Sequence, residues 1–191
     1  EVQVRMLVAS LNYRDLILLG GRIPNAVSLP YVPLSCGCGV VTKTGPGVTR
    51  VQPGDRVAPT YFQNWISGVM PQDGGIALGG NVDGVAREYA CFSEEGVVRI
   101  PDMLSDLEAA PLPCAALTAW SSLFAIRATK PGDVVLLQGT GGVSIAGLQL
   151  ARAAGATTII TSSSDAKLAR ARALGADHVI NYRRTPDWGR A

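Results

Sequence analysis

The groups best suited to chemistry in this chain follow a short apolar run near its middle. Asp133 to Gln138 is typical of a short buried strand, and closely spaced glycines come directly after it. The residues of this turn are Gly139, Thr140, Gly141, Gly142, Val143 and Ser144. Glycines permit a tight turn and a close backbone approach, and the exposed N–H groups at the start of a helix favour phosphate. The stretch therefore predicts a strand-to-helix turn that binds the diphosphate of a dinucleotide.

The elements around this turn support the prediction. Its spacing places Ser144, a small residue, at the third glycine position of the dinucleotide fingerprint. The following pattern predicts a helix that ends at Gly155, a strand over 158–161, a helix over 167–174 and a strand over 178–181. This β-α-β-α-β order is that of half a doubly wound parallel sheet, and it indicates a nicotinamide-using oxidoreductase. The alternative is a glycine turn in an α/β domain without a ligand.

The residues after the second predicted strand bear on the choice of nicotinamide cofactor. NAD-preferring folds usually carry an acidic residue there, whereas this chain carries Ser162, Ser163 and Ser164. Hydroxyl groups do not repel a 2′-phosphate, and Lys167 could pair with it as a point charge. NADP(H) is therefore favoured, with NAD(H) as the alternative. Asp165 is the counter-evidence, since it could cap the helix or approach the ribose, and the serines could equally serve as helix caps.

Residues 1 to about 110 have a different sequence pattern, in which short β-prone runs are separated by glycine and proline turns. This predicts an all-β, barrel-like domain over residues 1–112, followed by a dinucleotide-binding domain over residues 113–191. Helices are expected from Tyr13 to Leu19 and from Cys114 to Arg127, the second with one apolar face and a place between the domains. Residues 60–84 are expected to form a long irregular insertion.

The composition is that of an ordinary globular protein, with 47% hydrophobic and 17% charged residues among 191. A net charge of +2 and scattered basic residues argue against binding to nucleic acid or to a membrane surface. No apolar stretch could span a bilayer and no secretory pattern opens the chain, so a cytoplasmic location is expected. The chain begins without methionine, inside an alternating pattern, and we expect it to be a fragment of a longer protein.

Several motifs occur together in an informative order. They are Asn12-Tyr13-Arg14-Asp15, Gly45-Pro46-Gly47-Val48, Gly54-Asp55-Arg56-Val57, the run from Leu112 to Trp120, the turn from Gln138 to Ser144 and the run from Leu174 to Tyr182. With them the chain resembles the medium-chain dehydrogenase/reductase superfamily, and within it the zinc-free quinone-reductase-like and alcohol dehydrogenase-like branches. The resemblance implies an α/β protein: a truncated chaperonin-10-like β-barrel domain, then the first half of a Rossmann doubly wound parallel sheet. It also implies a homodimer at full length.

The resemblance argues against a metal ion. Metal-dependent members place a cysteine where Asn12 stands and a Gly-His-Glu where Leu34-Ser35-Cys36 stands, so no metal ligands and no zinc are expected here. Cys36 and Cys38 would share one face of a strand, either as a metal or redox pair or as two core thiols. Cys91 and Cys114 are expected to be isolated, and no disulfide framework is implied.

The resemblance further implies hydride transfer to a small molecule, a quinone or an α,β-unsaturated carbonyl. Asn12 and Tyr13 are the candidate donors to the enolate oxygen, although Asn12 could instead be a helix N-cap and Tyr13 a half-buried aromatic residue. Thr118 is expected near the nicotinamide and Tyr182 near the 2′-phosphate or adenosine. Tyr61 and Trp65 could line the substrate pocket.

Two alternative functions stay open at this point. One is an alcohol or aldehyde dehydrogenase of the same fold, which would need an electrophile in place of zinc. The other is a protein that binds NADPH without turnover.

Overall fold

The computed structural model describes residues 1–23, 27, 29–72 and 74–190. The chain divides into two compact units, Glu1–Cys114 and Ala115–Ala191. Within the described ranges, no helix is long and apolar enough to cross a membrane.

The first unit is built on an antiparallel sheet of five strands among its described residues. The strands are β1 (Val2–Ser10), β2 (Cys36–Thr44), β3 (Arg56–Pro59), β4 (Tyr89–Phe92) and β5 (Val97–Arg99). Their order is β4-β1-β2-β3-β5. In β1 the alternate residues Val2 and Val4 are fully buried, because successive side chains of a strand point to opposite faces. They pack with Val41, Val57 and other apolar residues in one core, so the prediction that a β-sheet dominates this unit is confirmed.

Short helices and irregular connections complete this unit. Helix α1 (Tyr13–Leu19) matches the predicted range, and α2 (Asp106–Ala109) follows β5. A single 3-10 turn occupies Glu94–Gly96. Residues 60–84 form only isolated bridges in their described part, as expected of an irregular insertion; Asp73 lies outside the described residues.

The helix predicted from Cys114 to Arg127 is not regular. It consists of a π-helical turn (Leu112–Ala116), the α-helical turn α3 (Leu117–Trp120) and a second π-helical turn (Ser121–Ala125). The Ser122 hydroxyl donates to the Thr118 carbonyl at 2.8 Å, and such back-bonding competes with regular backbone hydrogen bonds. The predicted apolar face is also largely exposed, with Trp120 in contact with Phe124 at a ring distance of 4.7 Å.

The second unit has the predicted β-α-β-α-β order. Its elements are β6 (Val134–Leu137), α4 (Gly142–Ala153), β7 (Thr157–Ser162), α5 (Asp165–Ala173) and β8 (His178–Asn181). The three strands are parallel, in the order β6-β7-β8. Leu148 of α4, Ile160 of β7 and Leu168 of α5 form the centre of its core. This is the Rossmann-like half of an α/β fold.

Strand β6 differs from the prediction of a buried strand. Val134 is 64% exposed and Leu136 is 46% exposed. Leu137 packs into the core beside α4, and the alternation of a strand turns Val134 and Leu136 to the opposite face. An apolar run does not show whether a strand is covered on both faces or on one face only. The prediction that β6 is buried was wrong for this reason.

Candidate functional site

The glycine turn between β6 and α4 is shaped by Gly139. Its φ angle is +85°, in the left-handed region that side chains with a Cβ rarely adopt. Its N–H donates to the Thr161 hydroxyl at 3.1 Å, which ties the turn to the end of β7. A Cβ at Gly139 or Gly141 would meet no heavy atom within 4 Å. The turn therefore leaves room for a ligand to approach the backbone closely.

Helix α4 starts at this turn with Gly141 as its N-cap, and no side chain caps it. The first backbone N–H groups of a helix have no partner inside the helix, so they are available to an anion. Val143 is partly exposed there. The Ser144 hydroxyl donates to the Gln138 carbonyl at 3.1 Å and closes the turn from inside. At the third glycine position, Ser144 thus stabilises the loop.

The loop after β7 contacts the glycine turn through Ser162. This residue is 4% exposed, and its hydroxyl shares a hydrogen bond with the Thr140 hydroxyl at 3.2 Å. The same hydroxyl accepts from the Ser164 N–H at 3.3 Å. Ser162, which the sequence predicts as a cofactor contact, is therefore placed to hold the two loops together.

The acidic residue of this loop is turned toward the end of β8. Asp165 accepts a hydrogen bond from the Asn181 side chain at 2.7 Å and forms an ion pair with Arg184. Ser164 is the N-cap of α5, where it accepts from the Lys167 N–H at 3.4 Å. The sequence left open whether Asp165 caps the helix or approaches the ribose. In the structure Ser164 is the cap, and the partners of Asp165 are Asn181 and Arg184.

The other predicted cofactor residues vary in exposure. Ser163 is half-buried and Lys167 is exposed on the first turn of α5. Tyr182 is 41% exposed, and its N–H donates to the Ser162 carbonyl at 3.2 Å, so it lies beside the β7 loop. Thr118 is an exposed residue of α3. The structure thus groups residues 139–144, 162–163 and 182 around the ends of β6, β7 and β8.

In the first unit, Asn12 is held at the N-terminus of α1. The Asp15 carboxylate, which is 4% exposed, accepts from the Asn12 N–H at 2.7 Å. The Asn12 side-chain amide donates to the Ser10 carbonyl at 3.4 Å. Tyr13, the second predicted donor, is 70% exposed on α1. Asn12 is therefore the N-cap that the alternative reading describes, with its amide group fixed in place.

Cys36 and Cys114 form a thiol pair that the sequence does not reveal. Cys36 is fully buried, and its side chain shares a hydrogen bond with Cys114. That hydrogen bond and burial raise the pKa of Cys36 far above its ordinary value, against weaker lowering by hydrogen bonds from Ser35 and Asn12. The expectation that Cys114 is isolated is wrong, because its partner lies 78 positions earlier in the sequence and only folding brings the two together.

Cys38, the thiol expected to pair with Cys36, has a different partner. Its sulfur donates to the Asp106 carbonyl at 3.3 Å. Burial, the largest cause, raises the pKa of Cys38 to about 11. Cys38 is thus a core thiol rather than half of a redox pair.

Tyr61 lies near the thiol pair. Burial raises its pKa, the Arg14 charge opposes that shift, and the charges of Cys114 and Cys36 add to it. The Arg14 guanidinium lies 4.9 Å from the centre of the Tyr61 ring. Tyr61, which the sequence indicated only as a pocket residue, is therefore a phenolic donor close to the two thiols. Trp65, also expected at the pocket, is 40% exposed and donates to the Gly68 carbonyl at 3.0 Å.

Comparison with known families gives two matches. Residues 1–102 match the family described as the alcohol dehydrogenase GroES-like domain, and residues 142–191 match the family described as zinc-binding dehydrogenase. A zinc-type alcohol dehydrogenase-like protein of Schizosaccharomyces pombe is 48% identical over 192 residues, which cover 98% of this chain and 55% of that protein. The chain thus spans about half the length of the curated relatives it matches.

Solved structures agree in fold. A Sinorhizobium meliloti 1021 protein assigned as an alcohol dehydrogenase is 46% identical with a TM-score of 0.92, over 98% of this chain and 56% of that one. A quinone oxidoreductase of Pseudomonas syringae pv. tomato DC3000 is 34% identical with a TM-score of 0.75, over 95% of this chain and 50% of that one.

Two of these matches are named for zinc. The side chains around Cys36 and Cys114 do not suit a zinc ion. A catalytic zinc ion takes three protein ligands from thiolates, imidazoles or carboxylates. Around Cys36 and Cys114 stand the amide of Asn12 and the hydroxyl of Ser35. Across the residues that the structure describes, no group of three or more His, Cys, Asp or Glu side chains could hold a metal ion.

Proposed function

Because this chain belongs to the medium-chain dehydrogenase/reductase superfamily, a superfamily of oxidoreductase enzymes, we propose that it serves a zinc-free hydride transfer between a nicotinamide dinucleotide and a small carbonyl-type substrate. The observation that carries the proposal is the turn at residues 139–144. There, open space above Gly139 and Gly141 meets the uncapped N-terminus of α4. Backbone N–H groups at such a place suit a pyrophosphate.

NADP(H) is the proposed cofactor. Asp165 accepts a hydrogen bond from Asn181 and forms an ion pair with Arg184, and the Arg184 charge offsets the repulsion that its carboxylate would exert on a 2′-phosphate. Lys167 is exposed on the first turn of α5, and the half-buried Ser163 supplies a hydroxyl in the loop before that helix. These groups can donate to a phosphate, whereas NAD-preferring folds offer a carboxylate to the ribose.

The proposed substrate is a quinone or an α,β-unsaturated carbonyl. The bound nicotinamide supplies the hydride, and the protein must stabilise the oxygen on which negative charge develops. Asn12 is suited to this because its side-chain amide is a neutral donor that a hydrogen bond to the Ser10 carbonyl orients, while the Asp15 carboxylate accepts from its backbone N–H. Tyr13 offers an exposed phenol, and Tyr61 offers a second phenol whose raised pKa keeps it protonated. The quinone oxidoreductase among the similar structures supports this substrate class.

A second candidate is an alcohol or aldehyde dehydrogenase of the same fold. The names of the Schizosaccharomyces pombe and Sinorhizobium meliloti proteins favour it. Such a reaction develops full alkoxide charge, which zinc-dependent enzymes stabilise with the metal. Here the amide of Asn12 and the hydroxyl of Ser35 would have to do so, which makes this the weaker candidate.

The test follows NADPH absorbance in the complete protein with quinones, enones and aldehydes in turn, alongside metal analysis. We expect NADPH consumption with quinones or enones and no stoichiometric zinc. Turnover restricted to aldehydes would favour the second candidate, and one zinc ion per chain would contradict the metal-free mechanism. Tight NADPH binding without consumption by any acceptor would indicate a binding protein that performs no turnover.

A further inference from the structure

The thiol pair of Cys36 and Cys114 combines one hidden and one reachable sulfur. Cys36 is the first residue of β2 and has no exposed surface, whereas Cys114 lies partly exposed in the turn Leu112–Ala116. Their side chains are hydrogen-bonded to each other. The fold thus brings together two thiols from distant parts of the sequence, and only one of them can be reached by a small oxidant.

Exposure assigns different roles to the two sulfurs. The hydrogen bond to Cys114 and burial raise the pKa of Cys36, so its thiol is kept protonated inside the fold. The thiolate is the form that attacks a peroxide, and susceptibility to oxidation follows exposure. Accessibility therefore selects Cys114 as the first site of oxidation.

We propose that Cys114 and Cys36 form an oxidisable dithiol, in which a peroxide oxidises Cys114 and Cys36 resolves the product as an intramolecular disulfide. In the first step the Cys114 sulfur attacks one oxygen of hydrogen peroxide. The O–O bond breaks, and Cys114 sulfenic acid and water are formed. In the second step the Cys36 sulfur attacks the Cys114 sulfur, the S–O bond breaks, and a second water leaves. Two thiols lose two electrons and two protons, and the peroxide is reduced to two waters.

Oxidation at this place would alter the proposed catalytic region. The Asn12 side chain is hydrogen-bonded to Cys36, and Tyr61 lies close enough to feel the charge of both sulfurs. A disulfide removes the thiol proton and pulls the two sulfurs to about 2 Å apart. The disulfide itself does not depend on the proposed function, whereas an effect on reductase activity rests on it.

The experiment treats the complete protein with graded hydrogen peroxide, alkylates the remaining thiols under denaturing conditions and maps the peptides by mass spectrometry. We expect alkylation of Cys36 and Cys114 to fall together, with a cross-linked peptide pair that is two hydrogens lighter. Dithiothreitol should restore both thiols. Cys91, an exposed thiol on β4, is the internal reference for oxidation without a resolving partner.

Two variants separate the roles of the sulfurs. Cys114→Ser alters the partly exposed member, and in this variant Cys36 should stay fully alkylatable at every peroxide dose. Cys36→Ser should let the sulfenic acid of Cys114 accumulate, where dimedone traps it. The proposal is overturned if Cys36 and Cys114 stay alkylatable at doses that oxidise Cys91, or if either sulfur pairs with Cys38 or Cys91 instead. Because these readouts are masses, they stand even if the protein has no reductase activity.

Discussion

The backbone of Gly139 adopts a φ of +85°, and this single residue allows β6 to turn into α4. We expect Gly139→Ala to lower the free energy of unfolding of the second unit by about 1 to 2 kcal/mol, because a Cβ is strained in the left-handed region. Urea-dependent hydrogen exchange of the β7 amides would measure this.

Gly141→Ala is the matched control for that variant. Gly141 has a φ of −80°, and a Cβ there meets no heavy atom within 4 Å. The free energy of unfolding should therefore change by less than about 0.5 kcal/mol. Equal losses in the two variants would show that the positive φ of Gly139 is not the source of the effect.

Lys167 decides the proposed preference for NADPH. Lys167→Ala should weaken NADPH binding by about tenfold and leave NADH binding nearly unchanged, because only NADPH carries the 2′-phosphate with which the ammonium group can pair. Titration of cofactor fluorescence would give both dissociation constants. Arg170→Ala, one turn further along the same helix, is the control for a general loss of positive charge. Equal weakening of NADPH and NADH by Lys167→Ala would remove the assignment.

At the scale of elements, Asp177 links the start of β7 to the residue before β8. Its carboxylate accepts from the Thr158 N–H at 2.7 Å and from the Thr158 hydroxyl at 2.9 Å. These hydrogen bonds, the backbone one first, lower the pKa of Asp177. The carboxylate therefore stabilises the folded state at a pH above its unfolded pKa of about 3.9, and this contribution is lost as the pH falls through the lower folded value.

We expect Asp177→Asn to flatten the dependence of unfolding free energy on pH below about 4, since the amide does not titrate. The measurement is urea unfolding of the wild type and the variant across that acidic window. Asp187, for which the structure shows no such contact with Thr158, offers Asp187→Asn as a matched control. An acid limb that is equally steep in wild type and Asp177→Asn would contradict the role of this carboxylate.

The elements themselves were largely predictable, because their signals are local. The helix at Tyr13–Leu19 and the alternation of β6, α4, β7, α5 and β8 follow from apolar spacing and glycine stops within short windows. The irregularity of the segment from Leu112 to Ala125 was not predictable. The Ser122 hydroxyl competes for a backbone carbonyl, and this does not change the spacing of apolar residues. The exposure of Val134 depends on which face of the sheet the helices cover, which the strand alone does not encode.

For the molecule as a whole, the candidate site was predicted only in part. The glycine turn is continuous in sequence, and so it was visible. The pairing of Cys36 with Cys114 joins residues from β2 and from a turn near the end of the first unit, and only the tertiary fold makes it. The role of Ser162 also depends on the tertiary fold. Its hydroxyl suggested contact with a ligand, but the side chain is buried and hydrogen-bonded to the Thr140 hydroxyl.

The central claim is that the free backbone N–H groups at the start of α4, in the turn at residues 139–144, bind the pyrophosphate of a nicotinamide dinucleotide. Isothermal titration calorimetry of the complete protein with NADPH and with NADH tests it most directly, with Gly141→Ala as the variant that fills the open space above the turn. We expect saturable binding with one site per chain in the wild type, and dissociation constants at least about tenfold higher for Gly141→Ala. A folded wild-type protein that binds neither dinucleotide, or a Gly141→Ala variant that binds as tightly as the wild type, would contradict the claim.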